Sequence, residues 1–275
     1  MSAIDQLFAR LRSQNRKALM PFITAGDPDL EFTGALLNEL AGRGCHLCEL
    51  GIPYSDPIAD GPVIQASYTR ALAKGLRLEE ILRGVRSWTR HLEMPIITMV
   101  SYSIVHRHGL DRYVAEARSA GVAGAIVPDL LVEEAGPLAE ICRREDFSLI
   151  QLVTPTTPRE RALRIAQQST GFLYYVSVAG ITGERSELPA ELRDNVAWLR
   201  QRTSLPVCIG FGISTSEHVR RLAEVADGLI VGSAFVRRIE AAAREPRGQV
   251  LEQIGEFAAE LLSALESGTD SFRSR

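Results

Sequence analysis

The chain has 275 residues, 45% of them hydrophobic and 24% charged, with a formal net charge of -3. That is ordinary globular composition, and the charge balance gives no electrostatic basis for binding nucleic acid. The first 20 residues lack the apolar stretch of a signal peptide and no segment approaches the ~18 apolar residues of a membrane span, so no membrane role and a cytoplasmic home are expected.

Ser2 and Asp5 make a capping box, and Ile4, Leu7, Phe8 and Leu11 follow at helical spacing, which predicts an extra N-terminal helix. Beyond Arg16 and Lys17, short apolar runs alternate with amphipathic stretches. The runs are 19–23, 47–50, 96–100, 124–127, 148–153, 172–177, 207–210 and 229–231. Continuous apolar strands separated by helices mark an α/β fold with a parallel sheet covered on its faces. Eight units in ~230 residues predict closure into a (β/α)8 TIM barrel rather than an open sheet. Pro95 and Pro206 fall at strand starts, whereas Pro21 lies inside the first run and must remove a ladder hydrogen bond. Leu36, Leu37 and Leu40 form one helical stripe, and Leu251, Ile254, Phe257 and Leu261 another. The reading is one domain over 1–266, with a polar tail, 267–275, expected to fray.

Cys45 and Cys48 form a CxxC. It runs into the second apparent strand, where residues three apart point to opposite faces, so small core hydrophobes are expected instead of a redox or zinc pair.

In a barrel of this kind the chemistry sits on the loops that follow the strands. The densest stretch is Glu49-Leu-Gly-Ile-Pro-Tyr-Ser-Asp56-Pro-Ile-Ala-Asp60-Gly-Pro. Glu49 ends the second run, where burial would raise its pKa and let it both give and take a proton. Alone, it reads equally well as half of a salt bridge to an Arg. Asp60, with Gly61-Pro62 behind it, could simply cap the next helix. The length and proline content of the loop carrying both residues favour a functional role.

Gly210-Phe-Gly212-Ile-Ser214 and Gly232-Ser233-Ala234 follow the last two runs, where phosphate-binding barrels offer backbone N–H groups and a helix N-terminus to an oxyanion. The glycine-bearing stretch 179–188 suits a closing lid, or only a surface loop. Of the two lysines, Lys17 and Lys74, neither ends a strand, which argues against a Schiff-base aldolase. His106 and His108, two apart on a helical stretch, diverge, so no metal site is expected. Carboxylate acid–base chemistry without a cofactor remains, able to cleave a carbon–carbon bond where the substrate supplies its own electron sink. A sugar-phosphate isomerase or epimerase and a catalytically idle binding subunit stay open as alternatives.

The run 49–61, the opening Pro21-Phe-Ile-Thr-Ala-Gly26-Asp-Pro, the stretch 179–183 and the two glycine turns resemble the tryptophan synthase α-subunit family, over about residues 8–240. The resemblance implies a carbon–carbon lyase of tryptophan biosynthesis, which splits indole-3-glycerol phosphate into indole and glyceraldehyde 3-phosphate by a retro-aldol step. It implies Glu49 as proton shuttle and Asp60 as acceptor for the indole N–H. Gly183, Gly212, Gly232 and Ser233 would hold the phosphate; Phe22, Ile64, Tyr174 and Phe211 would wall the indole pocket; Thr182 would meet Asp60 on lid closure. It further implies an α2β2 complex with a β subunit that carries pyridoxal phosphate and receives the indole. Two places depart from the family. Its usual M-x-Y-x-N reads Met99-Val-Ser101-Tyr-Ser103 here, and Leu131 in Asp129-Leu-Leu131 replaces a customary proline. These bear on β-subunit docking, not on the two acids.

Overall fold

The computed structural model describes residues 1–58, 60–177 and 191–270. Its strands are β1 (Ala18–Thr24), β2 (Cys48–Gly51), β3 (Ile96–Met99), β4 (Val122–Ile126), β5 (Ser148–Ile150), β6 (Leu152–Val153), β7 (Leu173–Val176), β8 (Val207–Gly210) and β9 (Gly228–Val231). The first six helices are α1 (Ala3–Ser13), α2 (Leu30–Gly42), α3 (Pro62–Leu72), α4 (Leu78–Trp88), α5 (Tyr102–His108) and α6 (Leu110–Ser119). They are followed by α7 (Gly136–Arg144), α8 (Arg159–Gln168), α9 (Leu192–Arg200), α10 (Ser216–Ala223), α11 (Ser233–Ile239) and α12 (Arg247–Asp270).

The strands pair in the order β5-β4-β3-β2-β1-β9-β8-β7-β6, every pair parallel. The two ends of that order are consecutive in the chain, separated by Gln151 alone, so the sheet closes on itself as the predicted eight-unit barrel. The expected run 148–153 is one passage that pairs with β4 through Ser148–Ile150 and with β7 through Leu152–Val153. The Gln151 carbonyl accepts the Tyr174 N–H at 3.1 Å at the changeover. A similar changeover occurs in β1, which registers with β9 over Ala18–Pro21 and with β2 from Phe22 onward. Pro21 therefore stands where the β2 ladder has not yet begun, which locates the missing hydrogen bond.

Side-chain alternation along the strands sorts the core into two layers. Met20, Phe22, Leu47, Ile97, Met99, Ile126, Ile150, Tyr174, Cys208 and Ile230 fill the barrel interior. Their alternates, such as Leu19, Ile23, Leu50, Ile96 and Ile209, pack outward under the helices with Leu36, Leu37 and Leu40 of α2. Helix α1 carries the expected capping box, Asp5 N–H to Ser2 Oγ at 3.2 Å and Ser2 N–H to Asp5 Oδ2 at 2.9 Å. It presses Ile4, Leu7, Phe8 and Leu11 into the interior layer and so plugs the floor of the barrel.

Helix α12 buries Ile254, Phe257 and Leu261, with Leu251 half-buried. It continues to Asp270, so residues 267–270 are helical where a frayed tail was expected. The reason is packing: Gly268 lies so close to α10 that a Cβ there would stand 2.9 Å from the Ala223 Cβ. Cys45 and Cys48 are free and buried. Contrary to the expected opposite faces, both lie in the outer layer, because Cys45 precedes the strand and strand alternation does not reach it. Burial pushes the Cys45 thiol up to about 12 and Cys48 well above the ordinary range, as suits inert core residues. Among the described residues no helix is long and apolar enough to cross a membrane.

Candidate active site

Glu49 sits inside the mouth of the barrel, in register with Phe22 of β1 and Ile97 of β3. It is 1% exposed, and among the described residues neither carboxyl oxygen has a hydrogen-bond partner. The salt-bridge reading therefore fails. Burial, then the nearby Asp60, raises its pKa to about 8. Asp60 does not cap α3 either: the N-cap is Gly61, with no side-chain cap bond. The Asp60 backbone is pinned instead, its N–H to Pro57 O at 3.1 Å and its carbonyl to Gln65 Nε2 at 2.7 Å. Burial of its carboxyl lifts the pKa to about 6.

Both acids line one pocket at the barrel mouth. Phe22, Ile64, Tyr174, Phe211, Gly212, Gly232 and Ser233 line it too, so nine of the eleven residues singled out from the sequence converge. The other two, Thr182 and Gly183, lie outside the described residues, as does the stretch 179–188.

Two glycines make this convergence possible. A Cβ on Gly51 would stand 2.5 Å from Phe22 Cζ, and one on Gly210 would stand 2.1 Å from Tyr174 Oη. Only their missing side chains let the two rings fold over the strand ends. After Gly210, Phe211 and Gly212 both adopt left-handed backbone, φ 73° and 74°. For Phe211 that is strained geometry. It is held by Ser177, whose Oγ donates to Phe211 O at 2.5 Å while its N–H donates to Gly210 O at 3.0 Å. The Phe211 ring meets Tyr174 edge-on at 6.0 Å. Across the pocket Gly232 is the N-cap of α11, whose positive dipole end favours an anion.

Met99, Ile213 and Ile230 complete the lining. They were not singled out, although Met99 and Ile230 could have been found by counting every second residue along their strands from the floor. Tyr68 was also missed. It is buried on the same face of α3 as Ile64, four residues earlier, a spacing that helical periodicity makes visible. Neither lysine reaches the pocket: Lys17 pairs with Asp227 at 4.0 Å before β1, and Lys74 donates to the Pro28 carbonyl. His106 and His108 do diverge, one ring against Tyr102 at 5.8 Å and the other bonded to Glu116 at 2.8 Å. Where the chain departs from the family, Ser101 Oγ donates to Asp129 Oδ2 and Tyr102 N–H to Oδ1, both at 2.7 Å. Leu131 is 54% exposed beside them in the chain.

A family model described as tryptophan synthase alpha chain matches residues 8–266, beyond position 240 where the recognisable motifs end. The tryptophan synthase alpha chain of Rhodopirellula baltica is 54% identical, covering 97% of this chain and 100% of the relative. The crystal structure of tryptophan synthase subunit alpha from Legionella pneumophila superposes with a TM-score of 0.89 at 36% identity, covering 97% of this chain and 99% of that one. A chain from the tryptophan synthase α2β2 complex of Pyrococcus furiosus gives 0.83 at 40% identity, covering 90% and 99%. With a family match over nearly its full length and relatives alike in sequence and fold, the chain belongs to the tryptophan synthase alpha chain family.

Proposed function

We propose that Glu49 and Asp60 divide the work of the family's reaction between them. As a tryptophan synthase alpha chain, this protein is a carbon–carbon lyase that cleaves indole-3-glycerol phosphate. The observation that carries the assignment is a pair of buried carboxyls on one pocket, one raised to about 8 and the other to about 6. Near neutrality the first is mostly an acid and the second mostly a carboxylate, which separates their roles.

Protonated Glu49 gives its proton to C3 of the indole, turning the ring into an indolenine. Ionised Asp60 accepts the indole N–H and stabilises the positive charge that develops there. The Glu49 carboxylate then removes the proton from the adjacent side-chain hydroxyl. The carbon–carbon electron pair returns to the ring, indole and the aldehyde separate, and Glu49 ends as it began. The substrate is its own electron sink, so the step asks for no cofactor in this chain. Gly212, Gly232 and Ser233, joined by Gly183, hold the phosphate; Phe22, Ile64, Tyr174 and Phe211 clasp the ring; Thr182 meets Asp60 when the lid closes. The indole passes to a β subunit, which holds pyridoxal phosphate, within an α2β2 assembly. One barrel domain in the cytoplasm completes the reading.

The test is indole release from indole-3-glycerol phosphate, with and without a β subunit. Glu49→Gln is expected to lose about a thousandfold in turnover while still binding substrate. Wild-type turnover in that variant would overturn the assignment.

A further inference from the structure

Tyr68 carries none of the roles described so far, yet it is built into the acid pair. On α3 the buried positions Ile64, Ser67, Tyr68 and Ala71 share a face, and Tyr68 is 3% exposed. Its hydroxyl is pressed against the end of β2, where a Cβ on Gly51 would stand 2.9 Å from Oη. Gly51 lies two residues after Glu49 and so on the same face of the strand. Tyr68 also lines a second pocket, beside the substrate pocket, together with Asp60, Ser101 and Asp129. Asp60 is common to both pockets. Asp60 therefore borders both the substrate space and the pocket that Tyr68 lines.

Among the described polar groups around Asp60, Gln151 shares a third pocket with it and keeps a buried amide nitrogen without a partner, and the others are placed as follows. Asp129 is engaged by Ser101 and Tyr102 at 2.7 Å, and Arg161, which shares that third pocket with Asp60, is held by Glu133 at 2.8 Å. Tyr54 and Asp56 belong to the loop that carries Asp60, and Glu49 and Tyr174 face it across the substrate pocket. Burial first, then Asp60 and then Glu49, pushes the Tyr68 ionisation well above its ordinary value, so the group stays an O–H donor throughout the working range. A buried phenol seeks an acceptor, and a carboxylate aimed at one N–H keeps its direction only if its other oxygen is held.

We propose that Tyr68 is a positioning residue for the cleavage: in the liganded enzyme its hydroxyl donates to the Asp60 oxygen that the substrate leaves free, aiming the other at the indole N–H. The proposal rests on the role given to Asp60 above.

The experiment is Tyr68→Phe, which deletes one oxygen and keeps the ring, assayed for indole release between pH 5 and 9. kcat is expected to fall about tenfold with KM within about twofold. A donor to the ionised form lowers a carboxyl's pKa, so losing it should move the acid limb of kcat, which reports the liganded enzyme, upward by about half to one pH unit. A structural role alone would leave that limb in place. In an Asp60→Asn background the same change should cost less than about twofold, since its target is gone. An unmoved acid limb with near wild-type kcat, or an undiminished loss in the Asp60→Asn background, would overturn the role of Tyr68 alone. Asp60→Asn at wild-type turnover would overturn the Asp60 assignment and this proposal with it.

Discussion

The two ends of the barrel treat the same kinds of residue in opposite ways. At the floor Asp227 is fully engaged: Oδ2 accepts the Val207 N–H at 2.9 Å, and Oδ1 accepts from Arg200 at 3.1 Å with Lys17 at 4.0 Å. Its carbonyl takes the Ala18 N–H at 3.0 Å, so one residue ties together the starts of β1, β8 and β9. His46, also at the floor, is pushed down to about 4 by burial and, being neutral, accepts the Leu19 N–H on Nδ1 at 3.1 Å, although its Nε2 is buried without a partner. At the mouth Glu49 is as deeply buried as any of these and its carboxyl has no hydrogen-bond partner among the described residues. The Asp227 charge at the floor is spent on holding strands in register. At the mouth it is left unsatisfied, and an unsatisfied carboxyl is one whose proton can move.

The sharpest way to break this contrast is Glu49→Gln. Besides its large loss of turnover, it should make the protein more stable, with a definite pH dependence. Below pH about 4.5, the ordinary value, Glu49 is protonated in both states and adds no penalty. As the pH climbs toward 8 the unfolded chain ionises freely and the folded chain does so only reluctantly, so the wild type loses stability. Urea unfolding should show the variant gaining on the wild type by about 2–4 kcal/mol at pH 8.5 and little at pH 4.5. A pH-independent difference would mean that the mouth is not strained as described.

Asp227→Ala should do the reverse. Orphaning Arg200, Lys17 and the Val207 N–H should cost about 2–4 kcal/mol in the same unfolding assay and leave kcat within about twofold at a temperature where the variant is folded. A smaller change sharpens the picture of the mouth. kcat/KM should follow a bell with an acid limb near 6, where Asp60 must be ionised, and an alkaline limb near 8, where Glu49 must hold its proton. Gly232→Ala is the mildest test. The new Cβ meets Phe22 atoms only at 3.7–3.9 Å, so folding should be untouched. A KM raised about fivefold with unchanged stability would locate the phosphate there; an unchanged KM would not.

Much of this was legible in the residues. Parallel strands buried on both faces write themselves as continuous apolar runs, and the linkage of Glu49 and Asp60 through one proline-rich loop marked the mouth. What stayed hidden depended on neighbours distant in sequence. Nothing in 148–153 tells that Gln151 separates partners on opposite sides. The helical state of 267–270 comes from Gly268 settling on α10, a contact that local composition cannot show. Asp60 and Gly61-Pro62 looked like a cap, and only the placement of α3 reveals that the cap carries no side-chain bond. Tyr68 was readable from helical period but drew no notice, because a tyrosine on a buried face is more often plain core.

The changeovers at Pro21–Phe22 and at Gln151 divide the cylinder into two staves. One runs from the upper part of β1 through β5 and carries both acids; the other runs from β6 through β9 and back to the lower part of β1, and carries Tyr174 and the glycine turns. At each seam the register passes from one neighbour to the other, with single backbone bonds still crossing, His46 N–H to Leu19 O at 3.1 Å and Thr170 N–H to Leu149 O at 2.9 Å. A ligand with its ring at Glu49 and its anionic end at Gly232 spans from one stave to the other. Such a molecule braces the cask across its open end, so occupancy should stiffen the rim far more than the number of its contacts alone would imply.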